Sequence, residues 1–125
     1  MNYGKAVTAA EAYLKAIDGD DPQRVVDLFA DEFTWEDPVG SEPLSDKTVL
    51  HQRYASAAGG IRVIQSGPIR GSHGNAAAAP FEFELRLEAL GGPKRVRVVN
   101  IFTVNDAGLI TSMKAYWSPE DIQDI

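Results

Sequence analysis

The chain predicts an α+β fold, with about three helices near the N-terminus packed on one face of a mostly antiparallel sheet. Helical periodicity is confined to the first half and strand alternation to the second, a segregation expected of helices covering one face of a sheet. The length of 125 residues, with 44% hydrophobic and 24% charged residues, suits one domain spanning residues 1–125. A chain this long buries roughly two-thirds of its unfolded surface, enough for a core and a small internal pocket.

The first helix is expected to begin near Thr8, where Thr8 and Glu11 have the spacing of a capping box. Ala10, Tyr13, Leu14 and Ile17 give its apolar stripe, and Gly19 is a plausible stop. Asp21-Pro22 reads as an N-cap followed by proline at the first helical position, with Val25, Val26, Leu28 and Phe29 as the stripe. A third helix is expected after Ser45, with Val49, Leu50, Tyr54, Ala57 and Ala58 inward and Gly59-Gly60 at its end.

Between the second and third helices, Phe33, Trp35 and Asp37 share one strand parity, so a carboxylate points the same way as two aromatics. Pro38 restricts Asp37 to extended backbone. In the second half, Phe81, Phe83, Leu85 and Leu87 alternate with Glu82, Glu84, Arg86 and Glu88. Gly91-Gly92-Pro93 marks a hairpin turn, after which Val96, Val98, Asn100, Phe102 and Val104 share one face. Asn105-Asp106-Ala107-Gly108 is a second turn, and Leu109 to Trp117 supplies the last strand. Ile61 to Gln65 and Ile69-Arg70 add earlier pieces. The opposite face of the Val96 strand reads Arg95, Arg97, Val99, Ile101, Thr103, and its apolar half suggests a homodimer surface or a site covered by the chain's own tail.

A net charge of −6 argues against nucleic acid or anionic membrane as the main partner. The absence of cysteine excludes disulfides, thiolate metal sites and cysteine nucleophiles. His51 and His73 are isolated, so no metal site is expected. With neither a signal-like start nor a membrane-length apolar run, a cytoplasmic protein is the expectation.

Three polar residues fall on faces that should be buried: Tyr13, Asp37 and Asn100. Singly, each has a structural explanation as a core tyrosine, a turn former or a strand asparagine tying down a loop. Together they pair one carboxylate with two neutral hydrogen-bond donors, the parts of a proton-transfer site with an oxyanion hole.

The run from Asp31 to Pro43, including Glu36-Asp37-Pro38-Val39-Gly40-Ser41-Glu42-Pro43, resembles the catalytic-aspartate segment of bacterial ketosteroid isomerases. Ser66 to His73 followed by Pro80-Phe81, and the ending Ser112 to Ser118 with Ala115-Tyr116-Trp117-Ser118, are similar too. The resemblance covers about Thr8 to Ile122. It implies a conical fold of the nuclear-transport-factor-2-like class, in which helices and a curved sheet enclose an apolar pocket that takes a steroid without a cofactor, usually in a homodimer. It implies Asp37 as general base, Tyr13 as the oxyanion tyrosine and Tyr54 as its hydrogen-bonded support. Phe29, Phe81, Phe83, Met113 and Trp117 would line the pocket.

One position departs from the pattern. Asn100 stands where the resembled family carries an aspartic acid, and that family is itself the standard case of an aspartic acid kept protonated to donate a hydrogen bond. An amide donates without a raised pKa but is a weaker acid. The expected loss is on the order of 1–2 kcal/mol of transition-state stabilisation, roughly 10- to 30-fold in rate. Two alternatives remain open at this level: another enzyme on the same scaffold, such as a polyketide cyclase or epoxide hydrolase, and a non-catalytic carrier or interaction module. An epoxide hydrolase of this type should show an Asp–Arg–Asp arrangement in the pocket, and Arg95 and Arg97 have the wrong parity for it.

Overall fold

The computed structural model describes residues 3–86 and 91–125. Three helices, α1 (Tyr3–Asp18), α2 (Pro22–Asp27) and α3 (Lys47–Ala57), pack on a seven-stranded sheet. The strands are β1 (Phe29–Glu36), β2 (Ile61–Gln65), β3 (Arg70–Gly71), β4 (Ala76–Leu85), β5 (Lys94–Val104), β6 (Ile110–Tyr116) and β7 (Ile122–Asp124). The main order is β1-β6-β5-β4-β2, with β3 on β4 and β7 on β5. Every pairing is antiparallel except that of β1 with β6. This is the expected conical α+β architecture. Among the described residues, no helix is long and apolar enough to cross a membrane.

Helix α1 starts earlier than the capping box suggested. Thr8 lies inside the helix and its hydroxyl donates back to the Gly4 carbonyl at 3.0 Å, so it is not an N-cap. The helix lies against the sheet through Ala6, Ala9, Ala10 and Ala16, all buried. Their small size lets the backbone approach closely, and Tyr13, Leu14 and Ile17 fill the remaining space. The second helix begins as expected, with Asp21 capping the Arg24 N–H at 3.0 Å. It ends at Asp27, so Phe29 opens β1 instead of extending the stripe.

In α3 the inward stripe is narrower than expected. Leu50 is buried and Tyr54 and Ala57 are half-buried, whereas Val49 and Ala58 are exposed. Leu50, Tyr54 and Ala57 follow the i, i+4, i+7 spacing of one face, and Val49 lies off it. Asp46 caps this helix through the N–H groups of Thr48 and Val49.

The inward face of β5 matches its alternation: Val96, Val98, Asn100, Phe102 and Val104 are all buried. Strand β4 begins five residues before Phe81, and its register pairs the whole of Ala76–Leu85 with β5. The expected positions of Leu87 and Glu88 lie outside the described residues. Glu84 overturns the alternation rule. It was expected to face water with Glu82, yet it is 3% exposed. Arg62, Arg86 and Arg95 converge on its carboxylate at 3.9, 3.2 and 3.8 Å, the first and last from the two strands flanking β4. The tail beyond Trp117 forms a short 3₁₀ turn (Pro119–Asp121) and β7, which pairs Ile122 with Val96 at the lower edge of the outer face. Val99 stays 40% exposed, so the tail does not cover the apolar half.

Candidate active site

The helices and the inner sheet face enclose a cavity of about 280 Å³, at the small end of the range for ligand clefts. Most of its lining is apolar, and Tyr13, Asp37 and Asn100 all face it. So do Tyr54, Phe81, Phe83 and Trp117. Phe29 and Met113 do not line it. Both are 1% exposed within the core; Phe29 stacks edge-on against Phe33, with ring centroids 5.1 Å apart. They sit behind the cavity wall, where inward parity alone could not separate core from lining.

Asp37 follows directly after β1, continuing the inward parity of the buried Phe33 and Trp35. Its segment is pinned on both sides. Trp35 exchanges two backbone hydrogen bonds with Leu44, at 2.8 and 2.9 Å, and the Val39 N–H donates to the Ala115 carbonyl at 2.8 Å. The Asp37–Pro38 peptide bond is cis. The Trp117 indole N–H donates to the Asp37 carboxylate at 2.6 Å. Burial pushes the Asp37 pKa above the usual carboxylate value, while the Trp117 hydrogen bond and the Arg53 charge pull against that rise.

Tyr13 projects from α1, 3% exposed, with its ring 5.0 Å from that of Phe102. Its hydroxyl lies 2.5 Å from that of Tyr54, which also accepts the Trp35 indole N–H at 3.0 Å. Either hydroxyl can donate in this pair; when Tyr54, which accepts from Trp35, donates its O–H to Tyr13, the Tyr13 O–H is left for the cavity. In that orientation three donors line up in series, each polarising the next. Burial is the main cause that raises both tyrosine pKa values, so both remain phenols and donors at neutral pH.

Asn100, 2% exposed, lies between Ala79 on β4 and Ala115 on β6. These two small neighbours leave open space beside its amide. Its NH₂ donates to the Met113 sulfur at 3.7 Å, and its buried Oδ1 has no hydrogen-bond partner. The unpaired atom is an acceptor, which only a donor can complete; what the amide offers a carbonyl oxygen is its second N–H.

The sequence reading missed Arg53 and Trp35 as lining residues. Trp35 had the right parity and was available as a signal. Arg53 sits one position before Tyr54 on α3, flanking the inward stripe, and a charged residue at such a position reads as solvated.

Comparison with known proteins fits this geometry. Residues 10–113 match the model of the SnoaL-like domain family. The chain belongs to that family. It is 31% identical to the steroid Delta-isomerase of Nocardioides simplex over 114 residues, covering 91% of this chain and 90% of the relative. The resemblance to ketosteroid isomerases therefore extends over nearly the full length of both chains. It is also 28% identical to the epoxide hydrolase LasB of Streptomyces lasalocidi over 114 residues, which is 87% of this chain but 40% of that protein. Among solved structures, the epoxide hydrolase/cyclase-like enzyme SalBIII, described for pyran ring formation in the polyether salinomycin, superimposes with a TM-score of 0.86 at 21% identity, covering 98% of this chain and 97% of the other. RV0760c from Mycobacterium tuberculosis, in complex with estradiol-17beta-hemisuccinate, gives 0.84 at 22% identity, covering 95% and 98%. These two likenesses concern the fold.

Proposed function

We propose that the protein is a steroid Δ-isomerase, moving the double bond of a β,γ-unsaturated 3-oxosteroid into conjugation. The observation that carries this reading is one half-buried carboxylate facing the same mostly apolar cavity as two buried neutral donors. The 31% identity to a steroid Delta-isomerase supports it. Asp37 takes the C4 proton, which is acidified by the carbonyl and the alkene, and returns it to C6. Charge developing on the C3 oxygen is met by the Tyr13 hydroxyl and by the second N–H of the Asn100 amide. In a water-poor cavity such bonds are stronger than in water. Trp117 holds Asp37 on the cavity side, and Tyr54 supports Tyr13. Phe81 and Phe83 pack against the fused rings, whose burial contributes about 25 cal/mol per Å². None of these steps calls on a metal or organic cofactor.

The relatives that act on epoxides raise a rival chemistry. Arg53 in the cavity lining supplies the arginine of an Asp–Arg–Asp set that Arg95 and Arg97 could not, but the set also needs two carboxylates, whereas the described lining holds only Asp37 and Asn100 occupies the other polar position. The isomerase reading is therefore the better supported. Its test is to add a β,γ-unsaturated 3-oxosteroid and follow the absorbance of the conjugated enone. Growth of that band at a rate proportional to protein concentration supports it; saturable steroid binding with no absorbance change would leave a carrier.

We further propose that the protein acts as a homodimer through the outer sheet face. Val99 pairs between Pro80 and Tyr116, which is 50% exposed, and Ile101 lies one step along the same face. An exposed apolar strip of this kind fits a second copy. Light scattering should report twice the chain mass, and Val99→Glu should shift it toward the monomer.

A further inference from the structure

In the proton transfer Arg53 touches no reacting atom and acts only through its charge on Asp37, although it is the one cationic residue of the described cavity lining. Its guanidinium lies over the Trp35 ring, 5.9 Å from the centroid, and the Trp35 indole is itself fixed by Tyr54. A cation held on an immobilised ring is pre-positioned at little further entropic cost. Among the described residues it forms no ion pair, in a chain with 18 acidic residues. Its charge reaches Asp37 only from beyond ion-pair distance, so the guanidinium can still pair with a ligand. Burial grades along the cavity: Tyr13 and Asn100 are closed off from solvent, whereas Arg53 is exposed. A ligand that enters carbonyl first leaves its other end toward the solvent side.

We infer that the cavity prefers 3-oxo substrates bearing a carboxylate on the end remote from the carbonyl, and that Arg53 is the specificity-determining residue that binds it. This rests on the isomerase reading for the carbonyl end. The fork of a guanidinium matches the two oxygens of a carboxylate. The carboxylate must sit at the solvent side because the isomerase reading requires Asp37 as a carboxylate, which repels a second anion beside it. A solvent-facing ion pair is screened, so the preference is modest, about 2- to 5-fold in affinity.

The test pairs a conjugated 3-oxosteroid bearing a side-chain carboxylate with its methyl ester, neither of which the isomerisation consumes. Dissociation constants for both are measured by calorimetry with the wild type, Arg53→Gln and Arg53→Lys, at low and high salt. The wild type should favour the acid about 2- to 5-fold, and high salt should narrow the gap. Arg53→Gln should bring the ratio near 1, and Arg53→Lys should retain part of it. Comparing acid with ester in one variant cancels any general effect of the substitution on the cavity. A ratio near 1 in the wild type, an unchanged ratio in Arg53→Gln, or no binding of either ligand overturns the inference. The enone assay with a neutral substrate reads the isomerase proposal separately, so a chain that fails to isomerise but prefers the acid still identifies Arg53 as the anion reader.

Discussion

Two carboxylates, Asp37 on the inner side and Glu84 on the outer face of the sheet, leave bulk water in opposite ways. Glu84 is the more buried, at 3% exposure, and three guanidinium groups surround it. Asp37 has one short hydrogen bond, from an indole N–H, and otherwise faces a cavity. A carboxylate compensated by charge on several sides is held in place and has no open position at which to meet a substrate. One with a single neutral donor keeps an oxygen available, and burial raises its basicity. Burial alone therefore marks neither as functional; the partners do.

Substituting each carboxylate tests this contrast. Asp37→Asn should lower turnover of the β,γ-unsaturated steroid by about 10³-fold, the scale of a lost general base, with steroid affinity kept or improved. The enone assay and equilibrium binding check the two parts, and unchanged turnover would remove Asp37 from its role. Glu84→Gln should leave kcat unchanged and lower stability by about 1–2 kcal/mol in denaturant unfolding. That is less than for a fully buried pair, because Arg62 and Arg86 are largely solvated and can turn to water. A large kcat effect with intact folding would mean that the outer network governs the cavity.

The oxyanion side sharpens the comparison. Asn100→Asp should raise kcat by roughly 10-fold if the new carboxyl stays protonated, because a carboxylic acid is the stronger donor. A clear fall would mean that it ionises so close to Asp37. The smallest effect concerns pH. Asp37 must be ionised to act, so kcat/KM should be lost as pH falls through its pKa, at a pH above the usual carboxylate value. Trp117→Phe removes the N–H that favours the ionised form and should move that acid limb upward. A limb that moved down or stayed fixed would show that the indole bond does not set the basicity of Asp37.

Much of this was legible in the sequence. Alternation along β5 placed Asn100 on the inward face, and the parity of Phe33, Trp35 and Asp37 aimed the carboxylate correctly. The Asp21-Pro22 start of α2 was equally readable, since capping and local alternation depend on neighbouring residues. Two errors were local, the Thr8 cap inside α1 and the overwide stripe of α3 with Val49 and Ala58; the others lie where a distant partner decides. Glu84 is buried because arginines from β2 and β5 reach it, which its own alternation cannot encode. Phe29 and Met113 belong to the core and not the cavity wall, a distinction of a few ångströms in depth.

Local order thus determined the helices, most strands and the direction of three polar side chains, because backbone geometry ties each side chain to its neighbours' parity. Tertiary packing decided the rest: the parallel seating of β1 on β6, the series Trp35–Tyr54–Tyr13, the indole clamp on Asp37 and the arginine at the cavity rim. Each of these joins residues far apart in the chain, and their geometry exists only once the helices have closed over the sheet.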